Sequence, residues 1–525
     1  MTMNRQGRPT GVPEAATGGD TAAGPATFTG HKALERDEGL IFEIGSPAVT
    51  GVDLEDPGDF ETALGGFERT EPMGLTGLSE PHVVRHYTRL SQKNYGIDTG
   101  LFPLGSCTMK HNPRLNEKIA RLPGFADIHP MQPERTVQGA LEVIDTLADW
   151  LCKLTNMAAI AMSPKAGAHG ELCGMMAIRA ALEHRGEQRR TVLVPESAHG
   201  TNPATAVFCG FQVKTLASTE DGRVDVAALK AQLGPDVAAI MLTNPNTCGL
   251  FEKDIQEIAA AVHEAGGYFY CDGANFNALI GKVRPGDLGI DAMHFNLHKT
   301  CSTPHGGGGP GSGPTVLSEA LAPFAPVPWV EKAVGGGLRL KATVRDGNTA
   351  FGRMTAFHGQ MGMFTRALAY LMSHGRDGLR LVAEDAVLNA NYVAAGLDKA
   401  MTRTYKARPM HEVLFDDRFL KGTGVDTLGF AKALIDEGFH PMTMYFPLVA
   451  SGAMLIEPTE TESRRSLDEF VFAMTKLAEA AKAGETERFD QAPRFAPLKR
   501  LDETAAARKP VLRYEPPAPY AQAAE

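Results

Sequence analysis

The sequence predicts an α/β protein: a large α/β domain with parallel strand pairing, followed by a smaller C-terminal α+β domain. Three observations lead there. Short apolar runs of strand length recur at 191–194 (TVLV), 238–243 (AAIMLT), 267–271 (GYFYC) and 292–297 (AMHFNL). A helical pattern separates the second run from the third, and a strand–helix–strand unit of that length requires parallel pairing. A second region, about 375–485, carries its own helix and strand signals, including DTLGFAKALIDEGF and SLDEFVFAMTKLAEAAKA.

In chain order, residues 1–37 are rich in Gly, Ala, Thr and Pro and poor in large apolar side chains. They are read as a disordered tail, because they cannot bury enough surface to offset their ordering entropy. They also lack the apolar stretch of a secretory signal. Residues 38–130 show no steady strand–helix alternation and are read as an N-terminal arm. The large domain is placed at 131–370. Its first helix is marked by Val137, Leu141, Ile144, Leu147, Leu151 and Leu154, at steps of three and four. In EKDIQEIAAAVHEAGG, Ile255, Ile258 and Val262 share a face and Gly266 is the stop. The small domain is placed at 371–487, and the proline-bearing stretch 488–525 is read as an extended tail.

Composition narrows the function. The chain has 525 residues, 43% of them apolar and 22% charged, values typical of a folded globular protein. A net charge of −10 argues against a nucleic-acid binder. No apolar run is long enough to span a membrane. Seven cysteines without paired short spacing do not form a disulfide framework, and a reducing cytoplasm is expected.

Four features follow strands, where open α/β sheets bind ligands. Ala166–Glu171 (AGAHGE) leads into a helix, so Gly167 and Ala168 would let backbone N–H groups approach a phosphate. His199, in SAHGTNP, could stack on a planar cofactor or simply cap a helix. Asp272, in YCDGAN, could pair with a pyridinium nitrogen and make the ring an electron sink, or cap its own loop. Lys299, in His298-Lys299-Thr300-Cys301, follows a buried run, where a neutral amine could form a Schiff base. The literal GxGxxG at Gly306, Gly308 and Gly311 contains Pro310, follows no strand immediately and opens no helix, so it is weak as a dinucleotide signal. The order of phosphate loop, stacking histidine, aspartate and lysine indicates a fold-type I pyridoxal-phosphate enzyme, aspartate-aminotransferase-like.

The wording of these segments is more specific. AGAHGEL, SAHGTNPAT, YCDGANFNA and HFNLHKTCSTPHGGGGPGSGP resemble the glycine decarboxylase P-protein of the glycine cleavage system. So do NYGIDTGLFPLGSCTMKHNPR and MLIEPTETESRRSLDEF, from about residue 80 to 475. The length resembles subunit 2, the catalytic subunit of the split bacterial form. The resemblance implies pyridoxal 5'-phosphate bound as a Schiff base on Lys299, Asp272 at the ring nitrogen, His199 stacked on the ring, and Gly167 and Ala168 at the phosphate. Asn275 and His298 fall in the same cofactor-binding segments, and His298 and His305 are candidate proton-handling helpers. It further implies decarboxylation of glycine, with the aminomethyl group passing to the lipoyl arm of the H-protein. The implied partners are P-protein subunit 1, in a heterotetramer of two of each, and lipoylated H-protein. The aminomethyltransferase T-protein and lipoamide dehydrogenase would act indirectly. The segments Ser106–Lys110 and Phe357–Gln360 are expected to cross a subunit interface. Two rival readings stand beside this one: another fold-type I enzyme acting on glycine or serine, and a non-catalytic scaffold subunit.

Overall fold

The computed structural model describes residues 38–513, apart from 47–48, 53, 56–57, 59–60, 62, 72–74, 306–310, 344–348, 357 and 359. The expected tail 1–37, the last residues of the C-terminal tail, and Gly306, Gly308 and Pro310 of the glycine run therefore lie outside the described residues. So do Phe357 and Gly359 of the second expected interface segment. Two compact units are present: residues 1–96 with 493–525, and Ile97–Ala492. In the first, the longest regular element is the helix Glu80–Gln92, where Arg89 and His86 both bond the Glu38 carboxylate. The second unit spans the residues of both domains expected from sequence.

Its larger sheet has seven strands: β1 (Ala159–Ala161), β2 (Thr191–Pro195), β3 (Gln212–Leu216), β4 (Val237–Thr243), β5 (Tyr268–Asp272), β6 (Ala292–His294) and β7 (Thr315–Leu317). Their order is β1-β7-β6-β5-β4-β2-β3. All neighbours pair in parallel except β7, which is antiparallel to both β6 and β1. The central strands read as unbroken apolar runs because both sheet faces are covered. Leu193, Ile240, Leu242 and Phe269 point into one core, with α1 (Gln138–Thr155) and α4 (Ile255–Glu264). Val192, Val194, Met241 and Tyr270 point into the other, with α2 (Gly167–His184) and α3 (Thr201–Phe208). Of the periodic residues, Leu141, Ile144, Leu147 and Leu151 of α1 and Ile255, Ile258 and Val262 of α4 are buried. Val137 is buried just before α1, Leu154 is half-buried, and Gly266 takes a left-handed φ of 79° just past α4.

The run 292–297 is not all strand. β6 stops at His294, and Leu297–Thr300 forms a single helical turn, α5, so Lys299 sits in that turn. The chain between them stays ordered by bonding the returning segment: Phe295 N–H donates to Pro314 O and Leu297 N–H to Ser312 O.

A hairpin of β8 (Trp329–Lys332) and β9 (Leu338–Lys341) precedes the long helix α6 (Met361–Leu397). That helix breaks at Gly375 (φ 59°); residues up to Ala383 pack in the core of the large sheet, and Val393, Ala394 and Leu397 near its end pack in the C-terminal core. The expected boundary at 370/371 therefore falls inside one element. The C-terminal sheet is antiparallel, with β10 (Thr402–Arg403), β11 (Val413–Asp416), β12 (Thr443–Met444) and β13 (Met454–Ile456) in the order β10-β11-β13-β12. It is backed by α7 (Thr427–Asp436) and α8 (Arg464–Lys482).

Two expected boundaries change. The stretch expected as an extended tail from 488 begins inside the core, where Phe489 and Ala492 are fully buried among α7 and α8 side chains. The expected arm 38–130 divides near Gly96: from Ile97 onward it belongs to the larger unit. There Leu104 bridges to Ile456 and Gly105 N–H donates to Leu455 O, which extends the small sheet. Gly105 is required there, since any Cβ would strike Leu455. Ser106–Lys110 is consequently packed inside this chain, with Thr108 and Lys110 buried.

Candidate active site

β5 and β6 pair so that Asp272 lies opposite His294 at their carboxyl ends, and Lys299 follows five residues later in α5. All three side chains are buried, and Lys299 is 8% exposed. The Lys299 Nζ donates to Ser106 O at 2.8 Å.

The Asp272 carboxylate accepts from Ala274 N–H (2.9 Å) and Asn202 Nδ2 (3.1 Å), and His294 Nε2 lies 3.5 Å away. Burial works to raise its pKa, but the charge of His294, those two hydrogen bonds and the charge of Lys299 outweigh it and leave it lowered. His294 is fixed from its other side by Tyr270 Oη, 2.6 Å from Nδ1. Behind this group Glu171 on α2 meets Thr201 Oγ1 at 2.7 Å, and burial, with the Asp272 charge nearby, pushes its carboxyl up to about 7. Two buried carboxyls thus divide their roles, one ionised and one about half protonated near neutrality.

α2 begins at Gly167, whose position is tight: a Cβ would lie 2.8 Å from Asn296 Oδ1. Ala168 follows, exposed, in the first turn. His199 is exposed, with its Nδ1 2.8 Å from Thr201 Oγ1 and its ring edge-on to Phe446 at 5.5 Å. Asn275 is buried but points to the Pro245 carbonyl (2.8 Å), so it supports the loop after β5. His298 Nδ1 accepts from Ser312 N–H at 3.3 Å, and its ring meets His305 at 5.0 Å. Burial, then the charges of His305 and Lys299, pushes the His298 imidazole down to about 3, so it is neutral.

The structure brings Lys299 and Asp272 together electrostatically and sets Gly167 beside Asn296, next but one to His294. Sequence reasoning named none of His294, Glu171, Asn202 and Ser106 as a site residue, and Ser106 stood only at the start of a segment expected to cross a subunit interface. Asn202 stood in the quoted SAHGTNPAT segment, and His294 stood inside a run read as plain strand. The residues present fit pyridoxal phosphate. Among the described residues, Asn296 Oδ1, Asn202 Oδ1 and Ser106 Oγ are buried without a hydrogen-bond partner, and the cradle at Gly167 admits no side chain.

Comparison with known proteins agrees with this geometry. Residues 170–309 match the aminotransferase class-V family, and residues 382–498 match the C-terminal domain of glycine dehydrogenase. A solved glycine decarboxylase (P-protein) of the glycine cleavage system, in inhibitor-bound form, aligns over 83% of this chain and 93% of its own. Its TM-score is 0.65 at 22% identity, which speaks to fold. The Escherichia coli cysteine desulfurase CsdA aligns over 73% of this chain and 96% of its own, at 16% identity and a TM-score of 0.56. The probable glycine dehydrogenase (decarboxylating) subunit 2 of Listeria monocytogenes is 50% identical over 92% of this chain and 99% of its own. That of Caulobacter vibrioides is 66% identical over the full length of both chains. The chain belongs to the glycine dehydrogenase (decarboxylating) subunit 2 family.

Proposed function

We propose that this chain catalyses the pyridoxal-phosphate-dependent decarboxylation of glycine and passes the aminomethyl group to the lipoyl arm of an H-protein. The observation that carries the reading is the buried Lys299 in α5 beside the ionised Asp272 at the end of β5, in a chain 66% identical throughout to a relative of that name. When bound, the cofactor supplies a ring that withdraws electrons from the carbon losing CO2.

The chain's own residues do the rest. Lys299 Nζ would hold the cofactor through its aldehyde, and as a free amine it donates to the Ser106 carbonyl. Asp272, kept ionised and bonded on two sides, would hold the ring nitrogen and keep a proton on it. His294, clamped by Tyr270, keeps that carboxylate in place. The first turn of α2, opened by Gly167, receives the phosphate. His199 would lie against the ring, and His298, held neutral with Nδ1 engaged by Ser312 N–H, would leave its Nε2–H as a donor near Lys299. A subunit 1-type partner completes the enzyme. Among the described residues no helix is long and apolar enough to cross a membrane, and a cytoplasmic location is proposed.

The test has two stages. The loaded protein should absorb near the visible edge, lose that absorbance on borohydride reduction, and carry the label on the peptide containing Lys299. Glycine–CO2 exchange should then require lipoylated H-protein. Folate-linked one-carbon transfer without H-protein would establish the rival enzyme instead.

A further inference from the structure

Beneath the Lys299 pocket lies a second group of ionisable side chains. His411 and Glu412 immediately precede β11, and Glu457 immediately follows β13. These strands are antiparallel with Val413 opposite Ile456, so Glu412 and Glu457 occupy the next facing pair. One donor atom from each of the three residues lies within 4.8 Å of the others. His411 and Glu412 are fully buried and Glu457 is 1% exposed. Two carboxylates facing each other across strands repel, and in a dry interior both cannot stay ionised.

Each carboxyl uses one oxygen on the same loop. Glu412 Oε2 accepts from Ser106 N–H at 2.7 Å, and Glu457 Oε1 from Thr108 Oγ1 at 2.5 Å. The other oxygens, Glu412 Oε1 and Glu457 Oε2, have no hydrogen-bond partner among the described residues, and neither does either ring nitrogen of His411, whose Nε2 lies 3.8 Å from Glu457 Oε1. The loop they grip is the one whose Ser106 carbonyl accepts from Lys299 Nζ. Facing the pair are His411, Lys299, Cys107, Lys110 and Glu460, with the Cys248 thiol near Glu412. Lys110 is committed elsewhere, bonding Glu460, Asn277, Tyr370 and the Thr300 carbonyl, so Lys299 is the cation with which the pair must balance.

We propose that Glu412 and Glu457 share one proton and act as a single buried negative charge that positions Lys299 and sets its protonation through the Ser106–Thr108 loop. Both are positioning residues. Burial supports this assignment by raising Glu412 well above the carboxylate range and Glu457 to about 7, while burial and then the Lys299 charge press His411 down to about 3, leaving it neutral. The proposal rests on the reading of Lys299 as the cofactor lysine, but not on glycine being the substrate.

The substitutions Glu412→Gln and Glu457→Gln keep an acceptor oxygen for Ser106 and Thr108 and mimic a protonated carboxyl. In the cofactor-loaded protein, each single variant should leave the pH midpoint of the Schiff-base absorbance near that of the unaltered chain, because the remaining carboxyl stays ionised. The double variant loses the charge, so its midpoint should fall by about one pH unit or more. In the apoprotein at neutral pH, the infrared band of a protonated carboxyl should weaken in each single variant and show no further loss in the double. Single shifts that add in the double would mean two independent charges, and a midpoint unmoved in all three variants would mean a structural role; either overturns the proposal. Elemental analysis finding a stoichiometric metal that the single variants lose would also overturn it, replacing the shared proton with a metal centre. A chain that forms no Schiff base refutes the reading of Lys299 itself, while the infrared band still tests the pair.

Discussion

Lys299 donates to the carbonyl of Ser106, and Ser106 holds a left-handed backbone, φ 60°, to receive it. A non-glycine residue there costs about 1 kcal/mol or more. The cost is offset because both backbone groups of Ser106 are engaged, the N–H with Glu412 and the carbonyl with Lys299. Two segments 193 residues apart are thereby fixed on one amine.

Removing that amine is expected to end turnover. Lys299→Ala should fold and show no glycine–CO2 exchange. Lys299→Arg should fail as well, since a guanidinium stays protonated and forms no imine. Circular dichroism establishes the fold, and exchange above a trace in either variant contradicts the assignment.

Asp272→Asn keeps an acceptor oxygen for only one of Ala274 N–H and Asn202 Nδ2, which bond different oxygens of the carboxylate, and removes the charge. Turnover is expected to drop about a hundredfold, near 3 kcal/mol, in the range seen for groups that act on transition-state charge. Cofactor occupancy should fall much less. Equal losses in both, measured by equilibrium binding and exchange rate, would make Asp272 a structural residue.

Why some of this was legible and some not follows from distance along the chain. β2, β4 and β5 could be read because burial on both faces leaves unbroken apolar runs. β1 and β7, three residues each, carry too little pattern, and the antiparallel placement of β7 depends on its partners alone. AMHFNL looked like one strand because Phe295 and Leu297 continue the apolar residues after the sheet ends; only the bonds to 312–314 show that the chain has left it. Lys299 and Asp272 were visible as polar residues after strands. Glu412 and Glu457 were not, because a glutamate flanking a short strand ordinarily points to water, and their burial arises from a loop about 300 residues away.

Gly167 offers a steric test. Gly167→Val places atoms against Asn296, whose Oδ1 would be 2.8 Å from the new Cβ, at the start of α2. The variant is expected to fold, since α2 is anchored further along by Cys173, Met175 and Ile178. Its cofactor affinity should fall at least tenfold by spectrophotometric titration. Unchanged affinity would move the phosphate away from this turn.

A pH dependence of stability should arise at Glu252. Its carboxyl is buried, accepts from Asn246 Nδ2 (2.7 Å) and Val224 N–H (3.2 Å), and is raised by burial from 4.5 to about 7. The folded chain therefore binds more protons than the unfolded one between those values, so this group's contribution is full below about 4.5 and lost as pH rises to about 7. Urea midpoints of the unaltered chain should decline relative to Glu252→Gln across that window. A constant difference would show that Glu252 is ionised throughout.

The last expectation concerns assembly. The Caulobacter vibrioides relative, which matches this chain over its full length, is named as a subunit 2. Within the chain, His199, which the proposed function places over the cofactor ring, is exposed and touched at its edge by Phe446. A ring held under an exposed imidazole is open to water, which weakens every polar contact that orients it. A partner covering that side would strengthen those contacts, and linkage then requires cofactor and partner to raise each other's affinity by the same factor. The chain alone is therefore expected to bind pyridoxal phosphate weakly or turn over slowly, and to gain both affinity and exchange rate with a subunit 1-type protein. Sedimentation with and without cofactor measures one side of the cycle, and cofactor titration with and without partner measures the other. Equal and full activity from the isolated chain would place the whole pocket within it and leave His199 to be closed by its own loops.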